Sequence, residues 1–324
     1  MKSTILNILK EQKSDWLSGE FLSAKLGVSR TAVWKNIQAL REAGYEIESR
    51  ANLGYRLLSV PDIPYPDEVA AGLQTQLIGN RIEHFFETTS SNEEAKKLAR
   101  EGCPEGTLVI AESQTKGRGL ISRPWFAPAK TGLWFSVVLR PRVALADTPQ
   151  LTMVMAVAVA EAVNEHIGAK GGIKWPNDLL FEGKKLCGIL VELNAEMDLT
   201  DFLVAGIGLN VNIDQEMFPA ELGEIATSVK VAAGRHVPRV PLLQSVLRSI
   251  EAWYLRWLRE GFVPVLTRWR EMCVTLGCPV TVHSLQESYE GYALDVDETG
   301  ALLVRVEDGS VKRLIAGEVS LRKK

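Results

Sequence analysis

Cysteine and histidine are scarce in this 324-residue chain, and no long hydrophobic run occurs in it. The four cysteines form no Cys-X-X-Cys pair, and the four histidines are scattered. This pattern argues against a disulfide-rich secreted scaffold and against a zinc site. The longest apolar run, Met153 to Ala160, is too short to span a bilayer. We therefore expect a cytoplasmic protein with reduced thiols, no membrane association and no tightly bound structural metal.

An excess of charge of one sign is also missing. The net charge is −3 at pH 7, so no strong overall field attracts nucleic acid or membrane. Residues 1–60, however, carry nine Lys and Arg against six Asp and Glu, a net of +3 that leaves −6 for the remainder. The mildly basic amino-terminal segment could therefore bind DNA although the rest of the chain is acidic.

The first 60 residues show the pattern of a small helical domain. Ser29 is a natural N-cap for a helix that ends near Gly44, and three apolar residues at i, i+4 and i+7 form one face of that helix. Apolar and polar residues alternate over 45–58, which predicts a hairpin of two strands, called the wing below. The opposite face and its flanks could reach DNA bases and phosphates through Ser29, Arg30, Thr31, Trp34, Lys35 and Gln38. Periodicity alone leaves a solvated amphipathic helix as the alternative.

Three prolines, Pro61, Pro64 and Pro66, predict a linker after this segment. Residues 63–270 mix apolar strands with helices, and the pattern alone predicts an α+β or α/β domain. Residues 271–324 contain short segments in which apolar and polar residues alternate, separated by two hairpin turns. This pattern predicts a small β-barrel. We therefore divide the chain into domains at 1–62, 63–270 and 271–324.

Two motifs carry the chemical information. The first is a glycine-rich basic loop, Gly117-Arg118-Gly119-Leu120-Ile121-Ser122-Arg123-Pro124-Trp125, and the second is Lys174-Trp175-Pro176-Asn177-Asp178. Glycines let backbone N–H groups approach an anion, and arginines supply charged donors. The loop matches neither a P-loop nor a dinucleotide-binding fingerprint. Alone it would be weak support, because an ordinary surface turn has the same composition.

Further segments make the pattern specific. They are Ser90-Ser91-Asn92, Gln114, Lys185-Leu186-Cys187-Gly188-Ile189-Leu190 and Gly206-Ile207-Gly208-Leu209-Asn210-Val211-Asn212. In this order the motifs resemble those of biotin–protein ligases over nearly the whole chain. The amino-terminal segment is similar to that of the bifunctional bacterial type, which is also the repressor of the biotin operon. The resemblance implies an α+β multidomain protein with a winged helix-turn-helix, a central mixed α/β domain related to class II aminoacyl-tRNA synthetases, and a carboxyl-terminal SH3-like β-barrel.

The resemblance also implies a two-step reaction. Biotin and ATP form biotinyl-5'-AMP and pyrophosphate, and a lysine of a biotin carboxyl carrier domain then attacks the mixed anhydride. Such an enzyme needs no nucleophile of its own, because its task is to bring two anions together and neutralise them. By resemblance, Lys185 bridges the biotin carboxylate and the α-phosphate, and Arg118 is the second catalytic cation.

The same resemblance implies two groups of binding residues. The biotin pocket would be formed by Ser90, Ser91, Asn92, Gln114, Gly117, Arg118, Gly119, Lys185, Gly188, Gly206 and Leu209. The ATP site would be formed by Arg123, Trp125, Lys174, Asn177, Asp178 and Asn210. Asp178 is in addition a candidate ligand for Mg²⁺, which accompanies ATP as the activating ion.

One departure from the family pattern concerns Leu120. The family usually carries a second arginine there, so this chain lacks one cation over the adenylate. We expect weaker retention of the intermediate, although the leucine could instead anchor the loop by apolar contact. The sequence leaves both possibilities open.

The resemblance further implies partners for the amino-terminal segment. Two copies at fixed spacing would read an inverted-repeat operator, and adenylate binding would favour a homodimer, which links biotin supply to repression. Three other interpretations compete with this one. The chain could be a lipoate–protein ligase, a transcription factor whose ligase-like domain only senses ligand, or an enzyme whose amino-terminal segment binds a protein.

Overall fold

The computed structural model of the chain describes residues 1–12, 15–120, 123–168, 170–196, 199–283, 288–315 and 317–321. Ile121 and Ser122 of the glycine-rich loop lie outside the described residues. The chain divides into two units, Met1–Ile63 and Pro64–Lys324. The division falls within the proline-containing segment that the sequence marks as a linker.

The first unit is a three-helix domain followed by a hairpin. Its elements are α1 (Lys2–Glu11), α2 (Gly19–Leu26), α3 (Arg30–Glu42), β1 (Glu46–Arg50) and β2 (Gly54–Ser59). The Ser29 hydroxyl accepts a hydrogen bond from the backbone N–H of Ala32 at 3.2 Å, which confirms the predicted N-cap of α3. The strands β1 and β2 pair antiparallel, so the predicted wing is confirmed.

The second unit begins with a long α/β region. Its elements are α4 (Pro66–Gly72), β3 (Ile82–Thr88), α5 (Ser91–Arg100), β4 (Leu108–Gln114), β5 (Gly132–Leu139), α6 (Gln150–Ile167), β6 (Gly172–Lys174), β7 (Asp178–Phe181), β8 (Lys184–Glu196), β9 (Leu199–Asn210), α7 (Ala220–Gly223), α8 (Val229–Ala233), α9 (Arg239–Glu260) and α10 (Val263–Met272). The strands form one seven-stranded sheet in the order β3-β4-β5-β9-β8-β7-β6. Among the strands that the structure describes, β3 and β4 pair parallel and the other neighbours pair antiparallel, so the sheet is mixed.

Helices cover both faces of this sheet. The main core lies on the side of α6 and α9, and α6 is buried over most of its length because its residues are apolar on nearly every face. On the other side, α5 packs against β4, β5 and β9 through small residues such as Ala95 and Ala99. None of the described helices combines the length and apolarity that crossing a membrane requires.

The end of the second unit is a small β domain. Its strands are β10 (Pro279–His283), β11 (Ser288–Val296), β12 (Leu302–Arg305), β13 (Val311–Leu314) and β14 (Glu318–Leu321). They form an antiparallel sheet in the order β13-β12-β11-β10-β14. The Trp175 indole N–H donates to the Gly300 carbonyl at 3.0 Å, so this domain helps to hold the Lys-Trp-Pro-Asn-Asp segment.

The turn that contains Gly300 is held by Asp297. Its carboxylate accepts from the Thr299 hydroxyl at 2.7 Å, from the backbone N–H of Ala301 at 3.0 Å and from Arg313 at 2.6 Å. Burial acts to raise the pKa of Asp297, but hydrogen bonds from Thr299 and Arg313 outweigh it and lower that pKa to about 2. The ionised carboxylate therefore stabilises the folded β domain.

Asp297→Asn is expected to lower the free energy of unfolding by about 2 kcal/mol at neutral pH. Because the folded pKa is depressed, this stabilisation is complete above the ordinary value of 3.8 and is lost as pH falls through about 2. Urea denaturation of both proteins between pH 7 and pH 2 measures the difference. A difference that did not shrink on acidification would contradict the assignment.

Candidate active site

A β-bulge determines which face of the sheet Lys185 occupies. In the pairing of β7 with β8, Leu179 faces Cys187 while Leu180 faces Lys185, so Leu186 is an extra residue. Strict alternation would place Lys185 on the core side with Cys187. Because of the bulge, Lys185 lies on the side of Gly188, where a Cβ at Gly188 would come within 3.1 Å of the Lys185 Cε.

Asp178 lies between two lysines. Its Oδ1 is 2.6 Å from the Lys185 Nζ and its Oδ2 is 3.0 Å from the Lys174 Nζ. The Asp178 side chain is 9% exposed, whereas that of Lys185 is 34% exposed. The buried carboxylate therefore holds the more exposed ammonium in place, with its charge directed to the open side of the sheet.

The Trp125 ring covers two glycines of the sheet. A Cβ at Gly208 would lie 2.6 Å from the Trp125 ring, and one at Gly188 would lie 2.9 Å from it. The Lys185 Nζ is 5.3 Å from the centroid of the same ring, a distance at which cation–π attraction operates. The two glycines and the tryptophan therefore form an apolar platform beside the ammonium group.

The glycine-rich loop folds back on itself as a narrow hairpin. The backbone N–H of Trp125 donates to the Gly117 carbonyl and that of Gly119 donates to the Arg123 carbonyl, both at 2.8 Å. The Arg123 side chain is exposed. The Arg118 guanidinium pairs with Glu93 and, at 3.0 Å, with Glu192. The negative charges of Glu192 and Glu93 raise the pKa of Arg118, so it stays a cation.

A chain of polar groups lies beneath this loop. The Ser136 hydroxyl is 2.6 Å from the Asn92 Oδ1 and 2.8 Å from the Ser91 hydroxyl. The backbone N–H of Ser91 donates to the Gln114 Oε1 at 2.7 Å. Ser90, Ser91 and Asn92 are all about 5% exposed or less. These buried polar groups are arranged as a wall against which a small polar ligand could bind.

Some residues expected at the ATP site make hydrogen bonds within the protein. The Asn177 amide donates to the Ile189 carbonyl at 2.5 Å, and the Asn210 amide donates to the Thr227 carbonyl at 3.0 Å. Each amide keeps a carbonyl oxygen that can serve a ligand. The side chain of Leu209 belongs to the core on the side of α6, whereas Gly206 faces Asn92 on the opposite side. Leu209 could therefore approach a ligand on the Gly206 side only through its backbone.

Leu120 is 37% exposed. It lines a cavity of about 560 Å³ together with the apolar Ile189, Val191 and Leu193 of β8, with Ile315 of the β domain and with the polar Asn177. This placement favours apolar anchoring of the loop over the alternative of a simple loss of charge. Weaker retention of an intermediate stays a prediction.

The described ranges contain no group of three or more His, Cys, Asp and Glu side chains placed to hold a metal ion. Both Asp178 oxygens are paired with lysines. A divalent cation could bind Asp178 only by displacing one of those lysines, so the side chain fits poorly as a resident Mg²⁺ ligand in this arrangement.

In the first unit, the polar face of α3 is open. Arg30, Thr31, Trp34 and Lys35 are exposed, and Trp34 is 52% exposed. Gln38 is partly buried, and Ser29 caps the helix. The face that the sequence assigns to DNA is therefore accessible within this unit.

Sequence reasoning missed three groups that organise the site. These are Glu93, Glu192 and Ser136, which pair with Arg118 or Asn92. Glu192 follows directly after the Gly-Ile-Leu-Val run of β8, but a single charged residue on a strand does not reveal its partner. In the sequence, the position of Glu192 directly after this run is the only sign that it belongs to the site.

Comparisons with known proteins agree with this arrangement. Family models match as an HTH domain at 2–56, as the biotin/lipoate A/B protein ligase family at 85–210 and as the biotin protein ligase C-terminal domain at 275–322. The bifunctional ligase/repressor BirA of Bacillus subtilis strain 168 is 38% identical over 99% of this chain and 98% of its own. That of Escherichia coli K12 is 32% identical over 94% and 92%, respectively.

A solved structure shares the fold of most of the second unit. The biotin protein ligase of Aquifex aeolicus in complex with biotin and ATP is 30% identical, with a TM-score of 0.65 over 76% of this chain and 100% of that protein. An amino-terminal helix-turn-helix domain, a central ligase domain and a carboxyl-terminal β domain thus follow one another here. The chain therefore belongs to the biotin–protein ligase family and, within it, to the bifunctional ligase/repressors.

Proposed function

We propose that this protein activates biotin with ATP to biotinyl-5'-AMP, transfers the biotin to a lysine of carboxylase carrier domains, and represses biotin genes with the adenylate as corepressor. The observation that carries the proposal is the convergence of Lys185, Asp178 and Trp125 on one side of the sheet, in a chain that matches ligase/repressors over nearly its full length.

The charges at the site suit the first step. Biotin carboxylate and ATP are both anions, and they repel each other unless a cation lies between them. The Lys185 ammonium is fixed by Asp178 and can neutralise both groups while Trp125 and the glycines support apolar parts of the ligands. Arg118 adds a second cation from the loop. The proposed nucleotide side is completed by Lys174, Arg123, Asn177 and Asn210. Gly117 and Gly119 are proposed to let the loop backbone approach biotin, although the N–H of Gly119 itself donates to the Arg123 carbonyl.

Mg²⁺ is proposed to enter with ATP, held mainly by phosphate oxygens, as is usual for this hard cation. When bound, it would neutralise phosphate charge. The protein's own contribution there is Lys174 and Lys185, whose ammonium groups flank Asp178.

Finer features of the architecture are also proposals. We propose that the five-stranded carboxyl-terminal domain is an SH3-like barrel and that the central domain is related to class II aminoacyl-tRNA synthetases. The sheet orders and the interleaved helices support both. For function, we divide the chain at 1–62, 63–270 and 271–324.

Biotin transfer to a purified carboxyl carrier domain, with Mg²⁺-ATP and streptavidin detection, tests the ligase proposal. Biotinylation that requires ATP is expected. Absence of transfer despite measurable biotin binding would leave a ligand-sensing repressor, and transfer of lipoate in place of biotin would indicate a lipoate–protein ligase.

The repressor role rests on the exposed polar face of α3. One such helix reads few base pairs, so we propose that two copies bind an inverted-repeat operator as a homodimer that adenylate favours. This coupling requires adenylate to bind the dimer more tightly than the monomer.

Lys35→Ala is expected to weaken operator binding about tenfold and to reduce the slope of log affinity against log salt by about 1, because one phosphate contact is lost. Gel shifts over a salt series, with adenylate present, measure both quantities. Lys10→Ala makes the same charge change in the last turn of α1, at the opposite end of that helix from the contact between Met1 and Asn36 of α3, and should leave the slope unchanged. Equal slopes for the Lys35 variant and the wild type would remove Lys35 from the DNA interface.

A further inference from the structure

Glu192 on β8 connects two residues of the proposed biotin pocket, Arg118 and Asn92, with Lys96 of α5. Its Oε1 accepts from the Lys96 Nζ at 2.7 Å and from Arg118 at 3.0 Å, and its Oε2 accepts from the Asn92 amide at 2.7 Å. Burial acts to raise the pKa of Glu192, but hydrogen bonds from Lys96 and Asn92 outweigh it and hold that pKa below its usual value. The group is therefore a carboxylate at neutral pH.

An ionised carboxylate only accepts hydrogen bonds, and this fixes the orientation of its neighbours. Asn92 has to present its NH₂ group to Glu192 at 2.7 Å, and the same group makes a longer contact with the Leu190 carbonyl at 3.4 Å, so its Oδ1 faces Ser136 at 2.6 Å. Ser136 has a single hydroxyl proton, which is used in the bond to Asn92. The Ser91 hydroxyl at 2.8 Å then has to donate to Ser136, and its remaining capacity is that of an acceptor.

We propose that Glu192 is a positioning and specificity-determining residue, which sets the direction of the Asn92–Ser136–Ser91 hydrogen-bond chain so that Ser91 accepts from an N–H group of the ligand. This inference rests on the proposed function, since it takes the ligand of the wall to be biotin. A cyclic urea offers such N–H donors, whereas a dithiolane ring has none. The fixed polarity of the wall therefore favours biotin over lipoate.

The pocket packs closely around this chain. A Cβ at Gly206 would lie 2.1 Å from the Asn92 Oδ1, so the Asn92 amide packs directly against Gly206 and can turn over only in place. Ser136 is fully buried and Ser91 is 4% exposed. Water therefore cannot readily replace a reversed partner, and an incorrect polarity should reduce ligand affinity instead of being absorbed by solvent.

Glu192→Gln tests the direction of the chain with little change in shape. Lys96 and Arg118 would attract the new amide oxygen, which leaves its NH₂ group facing Asn92. Asn92 would then turn over, Ser136 would donate to Ser91, and the Ser91 proton would face the ligand. We expect the KM for biotin to rise about 30-fold. The KM for ATP should change less than about twofold, a split that general loss of structure would not produce.

Two further variants complete the experiment. If Glu192 acts through Ser91, Glu192→Gln should cost less than about threefold in biotin KM in a Ser91→Ala background. Asp201 on the neighbouring strand β9 is an exposed carboxylate that pairs with Arg140. Asp201→Asn removes that charge, and its KM for biotin should match that of the wild type. Desthiobiotin keeps the cyclic urea without the thioether ring. In Glu192→Gln, the affinity for desthiobiotin should therefore fall by the same factor as the affinity for biotin.

The outcomes separate this inference from the proposed function. Biotin-dependent pyrophosphate release by the wild type with an unchanged biotin KM in Glu192→Gln would overturn the role of Glu192 alone. A full 30-fold loss in the Ser91→Ala background would also overturn it, because the effect would then bypass Ser91. Wild-type protein that neither binds biotin nor releases pyrophosphate would instead refute the proposed function.

Discussion

Lys185→Ala is expected to slow formation of biotinyl-adenylate about a thousandfold while leaving the fold intact. Asp178 holds this ammonium beside the Trp125 platform, at 2.6 Å from Oδ1 and 5.3 Å from the ring centroid. A fixed charge directed at the site where two anions meet contributes mainly to the transition state. The defect should therefore appear in the turnover rate more than in the affinity for biotin.

The neighbouring lysine supplies a matched control. The Lys184 Nζ donates to the Gly223 carbonyl at 3.3 Å and is not paired with Asp178. Lys184→Ala should keep adenylate formation within about threefold of the wild type. Pyrophosphate release and thermal unfolding should be measured together for both variants. Similar rates for the two variants would show that the proposed catalytic role of Lys185 is wrong.

Much of the fold follows from local pattern. Ser29 and the residues after it predict α3 and its cap because the information lies within one turn of helix. The alternation on either side of Asn52 predicts the wing for the same reason, since both strands and their turn are contiguous in sequence. The long apolar run of α6 likewise indicates a buried helix.

The geometry of the site is less accessible from sequence. The bulge at Leu186 moves Lys185 to the opposite side of the sheet from the one that strict alternation predicts, and it exists because β7 and β8 pair out of step. The family resemblance identified Lys185 without explaining how its side chain reaches the site. Periodicity describes one strand, whereas a bulge is a property of two.

The contacts that orient the side chains of the pocket join residues that lie even farther apart in the sequence. Glu192 meets Asn92 across 100 positions of sequence, and Trp175 meets Gly300 across 125. No local pattern specifies such a partner, because each residue alone has the composition of an ordinary strand or turn. The Trp175 contact gives the carboxyl-terminal domain a part in the site, since it holds the segment that ends in Asp178.

Gly206→Ala is expected to abolish measurable biotin binding, a loss of at least about a hundredfold. An added Cβ would lie 2.1 Å from the Asn92 Oδ1 and 2.8 Å from its Cγ. Asn92 is 5% exposed and bonded to both Ser136 and Glu192, so it can yield only by breaking the polar chain. A backbone shift of β9 is the alternative, and it would disturb the pairing with β5 and β8.

The loss should be specific to the ligand pocket. Gly223→Ala adds the same methyl group in α7, where no atom beyond the local helix backbone lies within 4 Å of the new Cβ, and biotin affinity should stay at the wild-type value. Combining Gly206→Ala with Asn92→Ser makes room for the methyl group. The double variant should recover thermal stability without recovering biotin affinity, because the amide that connects Glu192 to Ser136 is gone. For all four proteins, calorimetric titration measures the affinity for biotin and thermal unfolding measures the stability. Wild-type affinity in Gly206→Ala would show that Asn92 does not form the wall of the biotin pocket.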